Sequence, residues 1–323
     1  RLEKILPFKQ GDPVAKCLAG RRACPPEDIG GIGGHQELLD ALAGQLPSGA
    51  DEEWIEGLLA WLPDDYDPAA FSVDEVNQQL LAAPLPDLAG WHPLIADLLD
   101  RYHGGPLSPL GRLIKDATTG PTDLNDAQAQ GAVRRYQHLL RTIGDGVKLT
   151  AAGYLPPRIV HALYLELGLH QRWIGAGNRE DQTLPVLDLR ETATALGLLR
   201  KHNGRLSLTR FATQHLDDPR ALLAHIGSRL PLGRPYERDA GLVALLQAAV
   251  GQPLVDLDQY AGGILLDVGW RVDGATIEQA ARQWTWPTMS VFEILTADTT
   301  DPGLRATIAR SLLHRGGPAP KHG

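Results

Sequence analysis

Residues 196–209 read LGLLRKHNGRLSLT, and this stretch decides how the centre of the chain is folded. Gly204 to Ala212 reads as a turn, a short alternating strand ending in Leu208-Thr209, and a helix start. The same order occurs upstream, where Gly146-Val147-Lys148-Leu149-Thr150 leads into Ala151 to Leu155. Each copy follows a predicted helix with a basic residue near its end, Arg134 to Ile143 in the first and Leu189 to Lys201 in the second. The middle of the chain is therefore an internal repeat of helix, tight turn, strand and helix.

The second predicted helix carries its own logic. Asp188 precedes it and Glu191 follows three places later, a capping-box pattern. Leu189, Ala193, Leu196 and Leu199 share one face at helical spacing and are expected in the core. Arg190, Thr194, Gly197 and Lys201 form the opposite stripe, whose donors and glycine suit close approach to a DNA groove. Arg200, Lys201, His202, Arg205 and Arg210 surround the turn and would meet phosphates, giving affinity that falls steeply with salt. The stretch resembles the recognition helix and wing of bacterial winged helix-turn-helix regulators. On that reading the nucleic-acid-binding candidates are Arg190, Thr194, Arg200, Lys201, Arg205 and Arg210. The competing reading is a winged helix used only for structure or dimerisation, with its charges solvated.

Charge supports a local basic surface. The net charge of −8 conceals an asymmetry: residues 1–130 hold 9 basic and 21 acidic side chains, residues 131–215 hold 12 and 6, and residues 216–323 hold 10 and 12. A basic segment between acidic flanks is the footprint of a nucleic-acid-binding module. No apolar run approaches the length of a membrane span, about 18 residues or more, and Arg1 begins no signal peptide. Two cysteines give no disulfide framework, which points to a reducing, cytoplasmic compartment.

The N-terminal region is marked by Cys17–Gly34, CLAGRRACPPEDIGGIGG, between an expected strand at Leu2–Leu6 and a helix expected from Gln36. Pro25 and Pro26 fix φ and remove two donors, while Gly30, Gly31, Gly33 and Gly34 permit conformations closed to other residues. Together with Gln36 to Leu42, the Trp54 and Trp61 segment and Asp67 to Asn77, this loop resembles the Ri-plasmid ORF-three-like family, which also occurs as an insertion-element passenger labelled "TnpR". The resemblance implies an α/β domain with a β-rich half before residue 1, so the Leu2–Leu6 strand should pair with that missing half or with another partner. The label is not carried over as an activity, because no serine near the N-terminus is backed by recombinase-type arginines.

Other constellations are weaker. Cys17, Cys24 and His35 could ligate zinc, but the cysteine spacing is wide and no fourth ligand lies near, so buried reduced thiols are expected and no metal or cofactor is assigned. The glycine loop could point N–H groups at an anion, yet it lacks the Gly-Lys-Ser/Thr ending of a phosphate loop. The acidic run from Asp51 to Glu75 lacks calcium-loop spacing and reads as a solvated face or a surface for a basic partner. Trp54 and Trp61, and Trp270, Trp284 and Trp286 around a helix from Thr276 to Gln283, are expected in cores. No His-Glu-x-x-His, Gly-x-Ser-x-Gly or phosphate-loop motif occurs, and no catalytic residue is named.

The fold expected is α+β and predominantly helical. Residues 1–80 are the remnant of an α/β ORF-three-like domain, 81–93 a linker, 94–216 tandem winged-helix-like units, and 217–323 a helical C-terminal part. The function expected is that of a non-enzymatic, DNA-associated or regulatory protein of mobile-element type. The alternatives are a protein-interaction scaffold, whose acidic N-terminal region engages a basic partner or the missing half-domain, and an enzyme with the glycine loop lining a pocket.

Overall fold

The structure is a computed structural model that describes residues 16–26, 29–45, 57, 59, 62, 66–82, 87–102, 108–171, 175–251, 257–272, 274 and 276–314. The chain forms two compact units, Arg1–Pro84 and Leu85–Gly323. The expected strand at Leu2–Leu6 and the Trp54 and Trp61 side chains lie outside the described residues, as does most of the acidic run.

In the first unit the proline- and glycine-rich segment is held by α2 (Val73–Ala82) and the turn before it. The Cys17 backbone N–H donates to Asn77 Oδ1 at 2.8 Å, and Asn77 Nδ2 donates back to the Cys17 carbonyl at 3.0 Å. A Cβ on Gly20 would stand 2.2 Å from the Phe71 ring, so only glycine lets the loop lie on that ring. The helix expected from Gln36 begins five residues earlier, as α1 (Gly31–Leu42). Gly34 and Leu38, four apart, are its buried positions, so the tertiary contact recruits the glycines into the first turn despite their low helix propensity. Asp67 Oδ1 accepts the Ala69 N–H at 2.8 Å, and Asp74 and Glu75 occupy the first turn of α2, where the helix dipole favours anions. These acids have local structural work within the unit. Cys24 is exposed and Cys17 half-buried, both as free thiols, which corrects the expectation of buried ones.

The second unit opens with α3 (Pro93–Arg101), α4 (Pro109–Thr118) and α5 (Asp126–Ile143). Then follow β1 (Val147–Lys148), α6 (Pro157–Glu166) and α7 (Leu184–Ala195). The hairpin β2 (Leu199–His202) and β3 (Arg205–Leu208) leads into α8 (Arg210–His215). The chain finishes with α9 (Pro219–Arg229), α10 (Pro235–Ala249), α11 (Leu257–Asp267), α12 (Ile277–Thr296) and α13 (Pro302–Leu313). The fold is thus predominantly helical with one small antiparallel sheet, as the sequence implied.

At its centre lies α10, in which every residue from Asp239 to Ala249 is buried. The run DAGLVALLQAA is apolar on nearly all sides, and such a helix must be surrounded. Neighbours α11, α12 and α13 do this, and one continuous core joins Val133 and Leu189 from the middle of the chain to Phe292 and Leu312 near its end. The helix expected at Thr276–Gln283 is far longer, passing through Pro287 to Thr296. Its Thr276 N-cap and Gln279 form a reciprocal capping box, and its buried face holds Met289, Phe292 and Leu295 in the core, which offsets the donor lost at the proline. Trp270 and Trp284 are half-buried as expected of core residues, whereas Trp286 is 52% exposed.

The internal repeat is resolved by the sheet. Its strand order is β1-β3-β2, with Val147 opposite Leu206 and Lys148 opposite Arg205. The two Leu-Thr copies, expected in successive tandem units, therefore supply adjacent strands of one sheet. A two-residue β1 has little sheet of its own to join, and pairing with β3 satisfies its backbone.

Candidate nucleic-acid interface

The hairpin is set by its turn. Asn203 has φ 48° and Gly204 φ 70°, the positive pair that a tight two-residue turn between twisted strands requires. Cross-strand partners share a face, so Arg200 lies with Ser207 and His202 with Arg205, while Lys201 pairs with the buried Leu206. Adding β1 places Lys148 on the other side of Arg205. Lys148, Arg205, His202 and Arg200 thus lie on one face of the sheet, all four exposed.

Helix α7 does not extend as the sequence suggested. The expected helix Leu189–Lys201 is shifted to Leu184–Ala195, and Asp188 lies inside it; Thr183 is the N-cap residue and Pro185 lies in the first turn. The stop is a Schellman closure: the Leu198 N–H bonds to the Ala193 carbonyl at 2.9 Å, with Gly197 at φ 71°. Only glycine takes that conformation cheaply, so the glycine read as room for DNA is what ends the helix. His225 on α9 reinforces the end, its Nε2–H donating to the Leu196 carbonyl at 2.9 Å. Burial lowers the pKa of this imidazole, keeping it neutral, and its ring stacks on Phe211 at 4.0 Å. The core assignments on this stretch hold, since Leu189, Ala193, Leu196 and Leu199 are all buried.

The six candidate residues separate into two groups. Arg190 and Thr194 sit on α7 and point into the protein's own bonding. Arg190 Nε binds the carboxylate of buried Glu180 and its side chain is 12% exposed, while Thr194 Oγ1 donates to the Arg190 carbonyl at 2.8 Å. Arg200, Lys201, Arg205 and Arg210 are exposed on the hairpin and the start of α8. Arg200 Nε donates to Ser207 Oγ at 3.3 Å, Arg205 Nη2 to the Gly146 carbonyl at 3.1 Å, and the Lys201 ammonium lies beside Gly153.

What distinguishes the hairpin is that cations without an ion-pair partner are clustered on one small sheet. Several helix arginines are consumed internally: Arg134 and Arg135 by Asp298, Arg141 by Asp217, Arg190 by Glu180, Arg220 by Asp126. Among the described residues, Lys148, Arg200, Lys201, Arg205 and Arg210 have no carboxylate within ion-pair distance. Lys148 was missed in the sequence, although its alternation within the repeat was the available signal. Arg229, whose guanidinium approaches Gly197, carried no local signal at all. By contrast, α7 exposes Leu184, Glu191 and Ala195, an apolar and acidic surface. Among the described residues no three His, Cys, Asp or Glu side chains converge on a possible metal position, and no helix is long and apolar enough to cross a membrane.

These features define a predominantly helical α+β protein with a cationic three-stranded sheet. Residues 1–75 match the family model described as "Plasmid pRiA4b ORF-3-like protein", in the region where the sequence resemblance lay. Comparison with curated proteins and with solved structures found no match.

Proposed function

We propose that the chain is a DNA-associated regulatory protein of mobile-element type, working in the cytoplasm, in which one winged helix binds phosphates through its wing. The order α5-β1-α6-α7-β2-β3 with sheet order β1-β3-β2 supports a winged-helix reading, on which α7 would take the recognition position. The observation that carries the reading is the row Lys148, Arg205, His202 and Arg200, held on one face without counter-charges. Like charges placed side by side cost stability, and a polyanion removes that cost. The acidic exposed side of α7 disfavours deep insertion of that helix into a groove, so backbone contact dominates over base readout. No catalytic group enters this reading.

The test is a mobility-shift titration across salt concentrations with the Arg200→Ala/Lys201→Ala/Arg205→Ala variant beside the parent. Each lost phosphate contact should take about 0.9 from the log–log salt slope, with weakening similar on all sequences. Unchanged binding in the triple variant would sink the assignment. Absence of binding by the parent at low salt would transfer the weight to the scaffold reading.

A further inference from the structure

Away from the sheet, a cavity of about 200 Å³ opens between α7 and α12. Its walls are apolar: Leu167, Pro185 and Leu189 on one side, Trp286 and Ile294 on the other. Three charged side chains also line it, namely Arg135, Asp188 and Glu293. Arg135 is already satisfied, since its Nη2 donates to Asp298 Oδ1 at 2.8 Å and its side chain is only 12% exposed. Asp188 and Glu293 are in the opposite condition. Among the described residues neither carboxylate has a hydrogen-bond or ion-pair partner, and Arg305, whose charge acts on Glu293, donates instead to the Thr296 carbonyl at 3.3 Å.

We propose that this cavity is a binding site for a compact organic cation, an ammonium bearing one apolar group. The ammonium would sit between Asp188 and Glu293, and the apolar group would lie against Leu189 and the half-exposed face of Trp286. Desolvation raises the pKa of both carboxyl groups, that of half-buried Asp188 and of Glu293, whose side chain remains exposed on one side, with Glu191 adding to the effect at Asp188 and Asp188 adding to it at Glu293. Both anions are therefore held in the folded state at a cost to stability that a bound cation would relieve.

The choice of ligand class follows from what the other classes would do. A neutral apolar ligand would leave both carboxylates without a partner and cover half-buried Asp188 further, which is unfavourable. An anion would meet them directly. A cation supplies charge-assisted hydrogen bonds to the carboxylates, and the indole face of Trp286 attracts it further. The volume also limits size, being below the roughly 300–1,000 Å³ of pockets for drug-sized ligands. One ring with a small charged head is the scale that fits.

The proposal does not depend on the DNA reading, and its test measures ligand binding alone. Benzylammonium is titrated into the full chain by calorimetry and by tryptophan fluorescence, with benzoate and benzyl alcohol as anionic and neutral comparisons. Saturable one-to-one binding is expected, with a dissociation constant on the order of 1 mM or tighter. The Asp188→Asn/Glu293→Gln pair should weaken it by roughly tenfold or more, equivalent to about 1.4 kcal/mol. Trp286→Ala should also weaken it and abolish the fluorescence change. Circular dichroism shows whether each variant keeps its helices; Trp286 is half-exposed, and the carboxamides are close in shape to the carboxylates they replace. No saturable binding by the parent, equal binding of benzyl alcohol, or full affinity in folded carboxamide and alanine variants would each overturn the proposal.

Discussion

Lys148 on β1 and Arg205 on β3 are direct cross-strand partners, so two cations face each other across an antiparallel pair, and His202 stands on the other side of Arg205. Opposed like charges destabilise a sheet, and among the described residues no carboxylate pairs with them. Lys148→Glu should therefore raise folding stability by about 0.2–1 kcal/mol. The gain should shrink in thermal melts at high salt, where exposed charges are screened. DNA affinity should fall in the same variant. A protein stabilised by Lys148→Glu with undiminished DNA binding would remove Lys148 from the interface.

Arg190 provides the converse case. Its partner Glu180 is 1% exposed and also accepts the Leu155 N–H at 2.7 Å, tying α7 to the segment before α6. Removing either partner strands the other charge, so Arg190→Ala and Glu180→Ala should each cost about 3–5 kcal/mol. The double variant should cost much less than their sum in urea unfolding. If Arg190→Lys remains folded, its DNA salt slope should equal the parent's; a lowered slope would return Arg190 to the interface.

Asp188 links stability to pH. Burial raises its folded pKa, so ionising it at neutral pH costs more in the folded than in the unfolded state. Asp188→Asn should raise the melting temperature at pH 7 by less than about 1 kcal/mol in equivalent stability, since the group is only half-buried. The difference should close as pH falls through the folded pKa toward the ordinary aspartate value of about 3.9, where both states are protonated. A pH-independent difference would assign the effect to something other than the charge.

Packing of α10 on α12 depends on Gly241. A Cβ there would stand 2.3 Å from Thr288 Oγ1, the atom that accepts the Leu232 N–H at 3.0 Å. In an exposed helix Gly→Ala gains about 1 kcal/mol, but overpacking costs about 1–3 kcal/mol and the displaced hydrogen bond about 1 kcal/mol more. Net destabilisation of roughly 1–3 kcal/mol is expected for Gly241→Ala by chemical denaturation. A stabilised variant would show that the two helices can separate at little cost.

Local patterns in the sequence determined a good deal. The predominance of helix, the two Leu-Thr strands taken singly, the Asn203-Gly204 turn and the burial of Leu189, Ala193, Leu196 and Leu199 were all legible, because turn chemistry and hydrophobic spacing act over a few residues. The loop at Cys17–Gly34, together with the segments that follow it up to Asn77, was likewise enough to mark the region that matches the ORF-3-like family model. What the tertiary structure alone decided was partnership. That β1 joins β3, that Arg190 is spent on Glu180 while Lys148 is left free, and that Asp188 faces a cavity shared with Glu293 all depend on segments distant in sequence. Charge in a sequence is only a count; whether a given cation is available to a ligand depends on which carboxylate the fold brings beside it, because ion pairing acts over a few ångströms of space and is indifferent to separation along the chain.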